Sequence, residues 1–143
     1  MALHQDAPGI YEQMLKVQDT VPIAPSRIAQ TAALGAIKGA GRVWVQEKVA
    51  TLETGRQAIL KAIQCLEQPI IEGSGAIYVM VKLPTADDVE VRTMLVRDYG
   101  VAVIPGSFCG FPGWIRVCYS NLPPEECLKA AERLETGLRS LVK

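Results

Sequence analysis

The stretch VRDYGVAVIPGSFCGFPGWIRVCYSNLPPEECLKAAERL, residues 96–134, holds most of what decides the fold. Trp114 to Ser120 reads as a strand, rich in β-branched and aromatic side chains. Side chains alternate across a strand, so Ile115, Val117 and Tyr119 share one face and Trp114, Arg116, Cys118 and Ser120 the other. Pro123 and Pro124 then open a final helix whose buried stripe is Leu128, Ala131, Leu134, Leu138 and Leu141. Upstream, Val101 to Ile104 reads as a short buried strand, stopped by the turn Pro105-Gly106-Ser107. The connection 105–113 is long, and long ordered connections often carry function.

Working outward, Ala76 to Lys82 (AIYVMVK) predicts another strand, and Asp87 to Tyr99 a helix that Gly100 ends. These two strands, separated by that helix, would lie parallel if adjacent. Val45, Val49, Leu52, Ile59 and Ile63 predict one long helix from Val43 to Leu66. Before it, Ser26 suits the N-cap of a helix from Arg27 to Lys38, and residues 10–17 suit a short helix. Pro22 and Pro25 hold the segment between these two helices extended, and Asp6-Ala7-Pro8-Gly9 reads as a turn. The expected fold class is α+β: a small three-stranded sheet with helices packed on it.

Composition bounds the function. Of 143 residues, 49% are hydrophobic, and 15 basic residues balance 15 acidic ones. A chain of this size buries about two-thirds of its surface on folding. The zero net charge gives no footprint for nucleic acid. No apolar run is long enough to span a membrane, and the N-terminus lacks the marks of a signal peptide. Four cysteines form no C-x-x-C pair and the single histidine is His4, so no metal site is expected and reduced thiols are.

Arg116 is the residue with chemistry to offer. A guanidinium flanked by Trp114 and Cys118 needs an anionic partner, and its planar fork suits a bidentate carboxylate bond. From spacing alone, an internal ion pair or an arginine facing water is the ordinary explanation. Gly39-Ala40-Gly41 and Gly73-Ser74-Gly75 each lack the third glycine of a dinucleotide loop. Asp87-Asp88 suits a helix N-terminus better than a catalytic pair. Ser107 has no neighbouring histidine.

Three segments together resemble the class I/II PLP-dependent aminotransferases. IIEGSGAIYVMVKLP (70–84) is similar to their small-domain strand, and residues 96–134 resemble their C-terminal signature. That signature is a Gly-Val run into Pro-Gly-Ser, a strand with one arginine, and a helix opening with acidic residues. QDTVPIAPSRIAQTAALGAI (18–37) resembles the helix at the edge of their cofactor domain. The resemblance implies an amino-group transfer between an amino acid and a 2-oxo acid, a homodimer, and pyridoxal 5′-phosphate (PLP) as cofactor. It implies that Arg116 binds the substrate α-carboxylate and that Phe108 lies beside the substrate, although Phe-Cys replaces the commoner small-residue-Phe order. It also implies domains at 1–42 (the edge of the cofactor domain), 43–66 (the connecting helix) and 67–143 (the small domain).

The family's Schiff-base lysine sits in a Ser/Thr-x-x-Lys-x-x-x-x-Pro-Gly-x-Arg-x-Gly segment. None of the seven lysines, at 16, 38, 48, 61, 82, 129 and 143, has that context. The expectation is a C-terminal fragment that does not hold PLP alone and is inactive alone. The alternative reading is a non-catalytic remnant or a carboxylate-binding or interaction module. Self-association through residues 10–66 and a cytoplasmic location are expected. Dicarboxylate enzymes of the family often use a second arginine from the neighbouring subunit, near the Pro22–Pro25 stretch. Arg27, the only arginine there, falls inside a helix, which leans toward aromatic or neutral substrates.

Overall fold

β4 (Trp114–Cys118) is one of two inner strands of the sheet in the computed structural model, which describes residues 9–142. β2 (Tyr78–Lys82) pairs with it antiparallel along its whole length, from Tyr78 opposite Cys118 to Lys82 opposite Trp114. On the other side, β3 (Ile104–Pro105) sets Ile104 opposite Arg116. β1 (Ile70–Ile71) pairs antiparallel with β2. Among the described residues the sheet therefore has four strands, in the order β1-β2-β4-β3, where three were expected. The two strands that could have lain parallel are separated by β4, so every pairing is antiparallel. The run expected as a strand from Val101 contributes only its end to the ladder. Val101 and Val103 are buried in the core instead, so the apolar run reflected burial and not pairing.

One sheet face is covered. Val79, Val81, Ile115 and Val117 pack under α4 (Glu53–Ile63), α5 (Asp88–Tyr99) and α6 (Pro124–Arg139), against Ile59, Ile63, Leu95, Leu134 and Leu138. Each such side chain contributes about 1.5–3 kcal/mol on burial. The Asp87 side chain caps α5 by accepting from the Glu90 N–H at 2.9 Å, and Gly100 closes the helix at φ 65°. Gly137 lets α6 approach α5, since a Cβ there would lie 2.5 Å from Leu95 Cδ2. Gly55 does the same for α4 against Cys127 and the Tyr119 carbonyl.

The single helix expected from Val43 to Leu66 is divided. α3 (Gly41–Ala50) ends, α4 begins at Glu53, and a 3-10 turn closes at Gln64–Leu66. At the break the Thr51 hydroxyl donates to the Lys48 carbonyl at 2.7 Å, and the Leu52 N–H donates to Val49, three residues back. Threonine competes with the helical ladder in this way, and the tighter bond interrupts the α-helical ladder.

Two compact units divide between Val45 and Gln46. The first contains α1 (Ile10–Thr20) and α2 (Arg27–Gly39), with Ser26 capping α2 through Ala29 N–H. α1, α2 and α3 bury none of their residues. Ile28 is 83% exposed and Ile37 72%. The apolar surface expected over residues 10–66 thus ends at Val49, because Ile59, Ile63 and Leu66 belong to the core under α6. No helix among the described residues is long and apolar enough to cross a membrane. His4 and the Asp6-Ala7-Pro8 part of the expected turn lie outside the described residues.

Candidate functional site

The second sheet face carries the residues of interest. Trp114, Arg116 and Cys118 alternate with the buried Ile115 and Val117, as the strand period requires. Arg116 is half-buried, opposite Met80 on β2 and Ile104 on β3. Its Cζ lies 4.9 Å from the ring centroid of Tyr78, the diagonal neighbour across the β2–β4 pair. Such a stack contributes about 0.5–1 kcal/mol at an exposed site and fixes the plane of the guanidinium. Tyr78 was not singled out in the sequence. Its closeness to Arg116 depends on a register that only the paired strands define.

A cleft of about 540 Å³ opens on this face, walled in part by Tyr78, Ile104, Phe108, Arg116 and Asn121. Neither Asp nor Glu contributes to its wall. Arg116 has no carboxylate partner among the described residues. Three other arginines do: Arg56 reaches Glu53 and Glu72, Arg97 reaches Asp98, and Arg139 reaches Glu135. The cleft thus holds a guanidinium that has no carboxylate partner among the described residues. Phe108 is 75% exposed at its rim. The Cys118 thiol turns to the Ile77 carbonyl at 3.2 Å and to the Ser120 hydroxyl and Asn121 Oδ1 at 3.3 Å.

Asp88 holds the loop that shapes this cleft. It is 2% exposed, just inside the helix that Asp87 caps. Its carboxylate accepts from the Ser107 hydroxyl at 2.7 Å, the Ser107 N–H at 2.9 Å and the Gly113 N–H at 3.0 Å. Burial pushes its pKa up. The Ser107 hydroxyl and the N–H groups of Ser107, Gly113 and Trp114 more than offset this, and the carboxyl sits below the usual range. One side chain thereby ties the start of α5 to both ends of the loop that carries Phe108 and leads into β4. Gly106 completes the turn, since a Cβ there would collide with the Phe111 carbonyl oxygen and lie 2.7 Å from Trp114 Cβ. The sequence marked Asp87-Asp88 only as a helix start, which Asp87 satisfies. The signal for Asp88 would have been a second carboxylate left over at a buried position.

No described lysine is among the residues walling the cleft. Lys82 shares the sheet face but stands opposite Trp114 at the end of β2. The residues present therefore do not fit PLP, which needs an amine within covalent reach.

The comparisons with known proteins accord with this architecture. A family model described as aminotransferase class I and II matches residues 5–134. An aromatic aminotransferase of Arabidopsis thaliana is 36% identical over 137 residues, covering 94% of this chain and 34% of that protein. An aspartate/prephenate aminotransferase of Thermus thermophilus is 31% identical over 128 residues, covering 87% of this chain and 33% of its own length. The solved structure of an aromatic aminotransferase from Pyrococcus horikoshii superposes with a TM-score of 0.73 at 27% identity, over 92% of this chain and 36% of that one. The chain spans about a third of the length of the curated relatives it matches.

Proposed function

Because the chain belongs to the class I and II aminotransferases, we propose that it supplies the carboxylate-binding half of a site for amino-group transfer between an amino acid and a 2-oxo acid. The observation that carries this is Arg116: half-buried, stacked on Tyr78, and, among the described residues, without a carboxylate partner in a cleft with no acidic wall. A guanidinium kept unpaired at such a position is poised for a ligand carboxylate. Phe108 and Tyr78 would give the ligand apolar contact. The experiment is a titration with a small 2-oxo acid, in which Arg116→Gln weakens binding by about 10–100-fold.

The chemistry of transfer belongs to PLP, and this chain is proposed not to hold it alone. After addition of PLP and borohydride to the purified chain, peptide mass mapping is expected to find no single lysine labelled stoichiometrically. One fully labelled lysine would overturn that half of the proposal. The relatives are named for aromatic and for aspartate substrates. Those names alone do not choose a substrate for this chain.

Association belongs to the same proposal. The exposed apolar side chains of α1, α2 and α3 are of the kind that pair with another polypeptide, and a second copy of this chain is the occupant proposed. Light scattering after size exclusion is expected to give a dimer or larger species. Ile28→Ser with Ile37→Glu should shift it toward monomer while leaving the unfolding midpoint of the α4–α6 unit in place. A monomeric wild type would contradict this. A cytoplasmic location, where thiols stay reduced, is also part of the proposal.

A further inference from the structure

We propose that Asp88 is a positioning residue for the Arg116 cleft: without reaching the ligand, it holds the β3–β4 connection as the wall against which the ligand's side chain lies. This rests on the reading of Arg116 given above.

The two strands that flank Arg116 are not equally secure. β2 pairs with β4 along its whole length, from Tyr78 to Lys82. β3 pairs only through Ile104, opposite Arg116, and Pro105, opposite Ile115. Proline has no N–H to give to that ladder, and so short a pairing does not hold by itself. Yet Ile104, Pro105 and Phe108 are part of the cleft wall on this side. Asp88 supplies the missing hold. Its carboxylate accepts from the Ser107 hydroxyl and N–H, just past β3, and from the Gly113 N–H, immediately before β4. Within that span the Phe111 N–H donates to the Gly106 carbonyl at 2.8 Å. The connection is thus drawn closed at its base and tied to α5, which packs beside β3.

The junction calls for a carboxylate. Both of its oxygens accept, and donors arrive from both ends of the connection, whereas an amide would turn its own donor toward one of them. Burying a charge is costly, and Asp88 has no lysine or arginine partner among the described residues. Its charge is satisfied by the connection alone. Asp88 is not among the residues walling the cleft, so it acts on a ligand only through that connection. Removing it frees the wall and not the guanidinium, which β4 carries beside the full-length pairing with β2 and the stack on Tyr78. The grip on a carboxylate survives, and discrimination between side chains is lost.

The test is a ligand-observed NMR titration of the full chain with pyruvate and 4-methyl-2-oxopentanoate, two 2-oxo acids that differ only in the side chain. All variants are compared at matched folded fraction, so that a loss of stability alone leaves the preference in place. Wild type is expected to bind the longer acid about fivefold more tightly, the factor that roughly one buried methylene gives. Asp88→Ala should remove that preference while pyruvate binding remains, and Asp88→Asn should retain part of it. Ser107→Ala, which deletes one of the three bonds and leaves the carboxylate in place, should also reduce the preference and serves where Asp88→Ala does not fold. Phe108→Ala should reduce it too, and adding Asp88→Ala to that variant should take away less than it does from wild type, since both act through one wall. Equal binding of the two acids by wild type, a preference that persists in the Asp88 and Ser107 variants, or pyruvate lost together with the longer acid in Asp88→Ala overturns the assignment. If Arg116→Gln nevertheless weakens both acids, the carboxylate reading of Arg116 stands and only the role of Asp88 falls. If wild type binds neither acid, both fall.

Discussion

Replacing Asp88 with alanine is expected to cost about 4 kcal/mol of stability, a large share of the roughly 5–15 kcal/mol typical of a domain. The carboxylate receives a hydroxyl and at least two backbone N–H groups while 2% exposed. Removing it leaves those donors buried without an acceptor, at about 1–3 kcal/mol each, reduced where water enters the gap. Asn at this position keeps one acceptor oxygen but turns an amide donor toward other donors, so about half the loss is expected. The pH dependence follows from the lowered pKa of the folded state. Stability from Asp88 is fully present above its ordinary value of 3.8 and is lost as pH falls below that toward the folded value. Asp98 and Glu126 also have lowered pKa values, but they are exposed partners of Arg97 and Lys129 and add little. Urea unfolding at pH 7, 5, 3 and 2 is the measurement. Wild type should weaken below about pH 4 more steeply than Asp88→Ala. Equal stability of the two at pH 7 would remove Asp88 as the anchor of the 106–113 loop.

Arg116→Gln is expected to weaken binding of a small carboxylate by about 10–100-fold, the value of a charge-assisted pair in a partly enclosed site. Arg116→Lys keeps the charge but loses the planar fork and the stack on Tyr78, so about a tenfold loss is expected. Stability provides the contrast. No ion pair among the described residues is broken by either change, so the unfolding free energy should fall by no more than about 1 kcal/mol, the value of the lost stack. An arginine serving a structural ion pair would behave in the opposite way, with folding damaged and ligand affinity unmoved.

Local chemistry made part of this legible. The alternation of Trp114 to Cys118 was readable because a strand with one covered face writes its period into the sequence. Ser26, Asp87 and Gly100 announced helix ends for the same reason, since caps are short-range. Relations across the chain were not legible. β1 is two residues long and exists only because β2 is beside it. The break at Thr51 rests on one hydroxyl choosing a backbone carbonyl, which the apolar step from Val49 to Leu52 conceals. Tyr78 and Asp88 owe their places beside the cleft to strand register and to a loop 19 to 25 residues away. Arg116 was found from its strand. That it has no carboxylate partner among the described residues became visible only once the surroundings were known.

The claim at the centre is that Arg116 is held open for a ligand carboxylate. Titration of the intact chain with 2-oxobutyrate, followed by saturation-transfer NMR, compares wild type with Arg116→Gln at matched folded fraction. Saturable binding by wild type and its loss in the variant is the expected result. Equal affinity in the two proteins would contradict it.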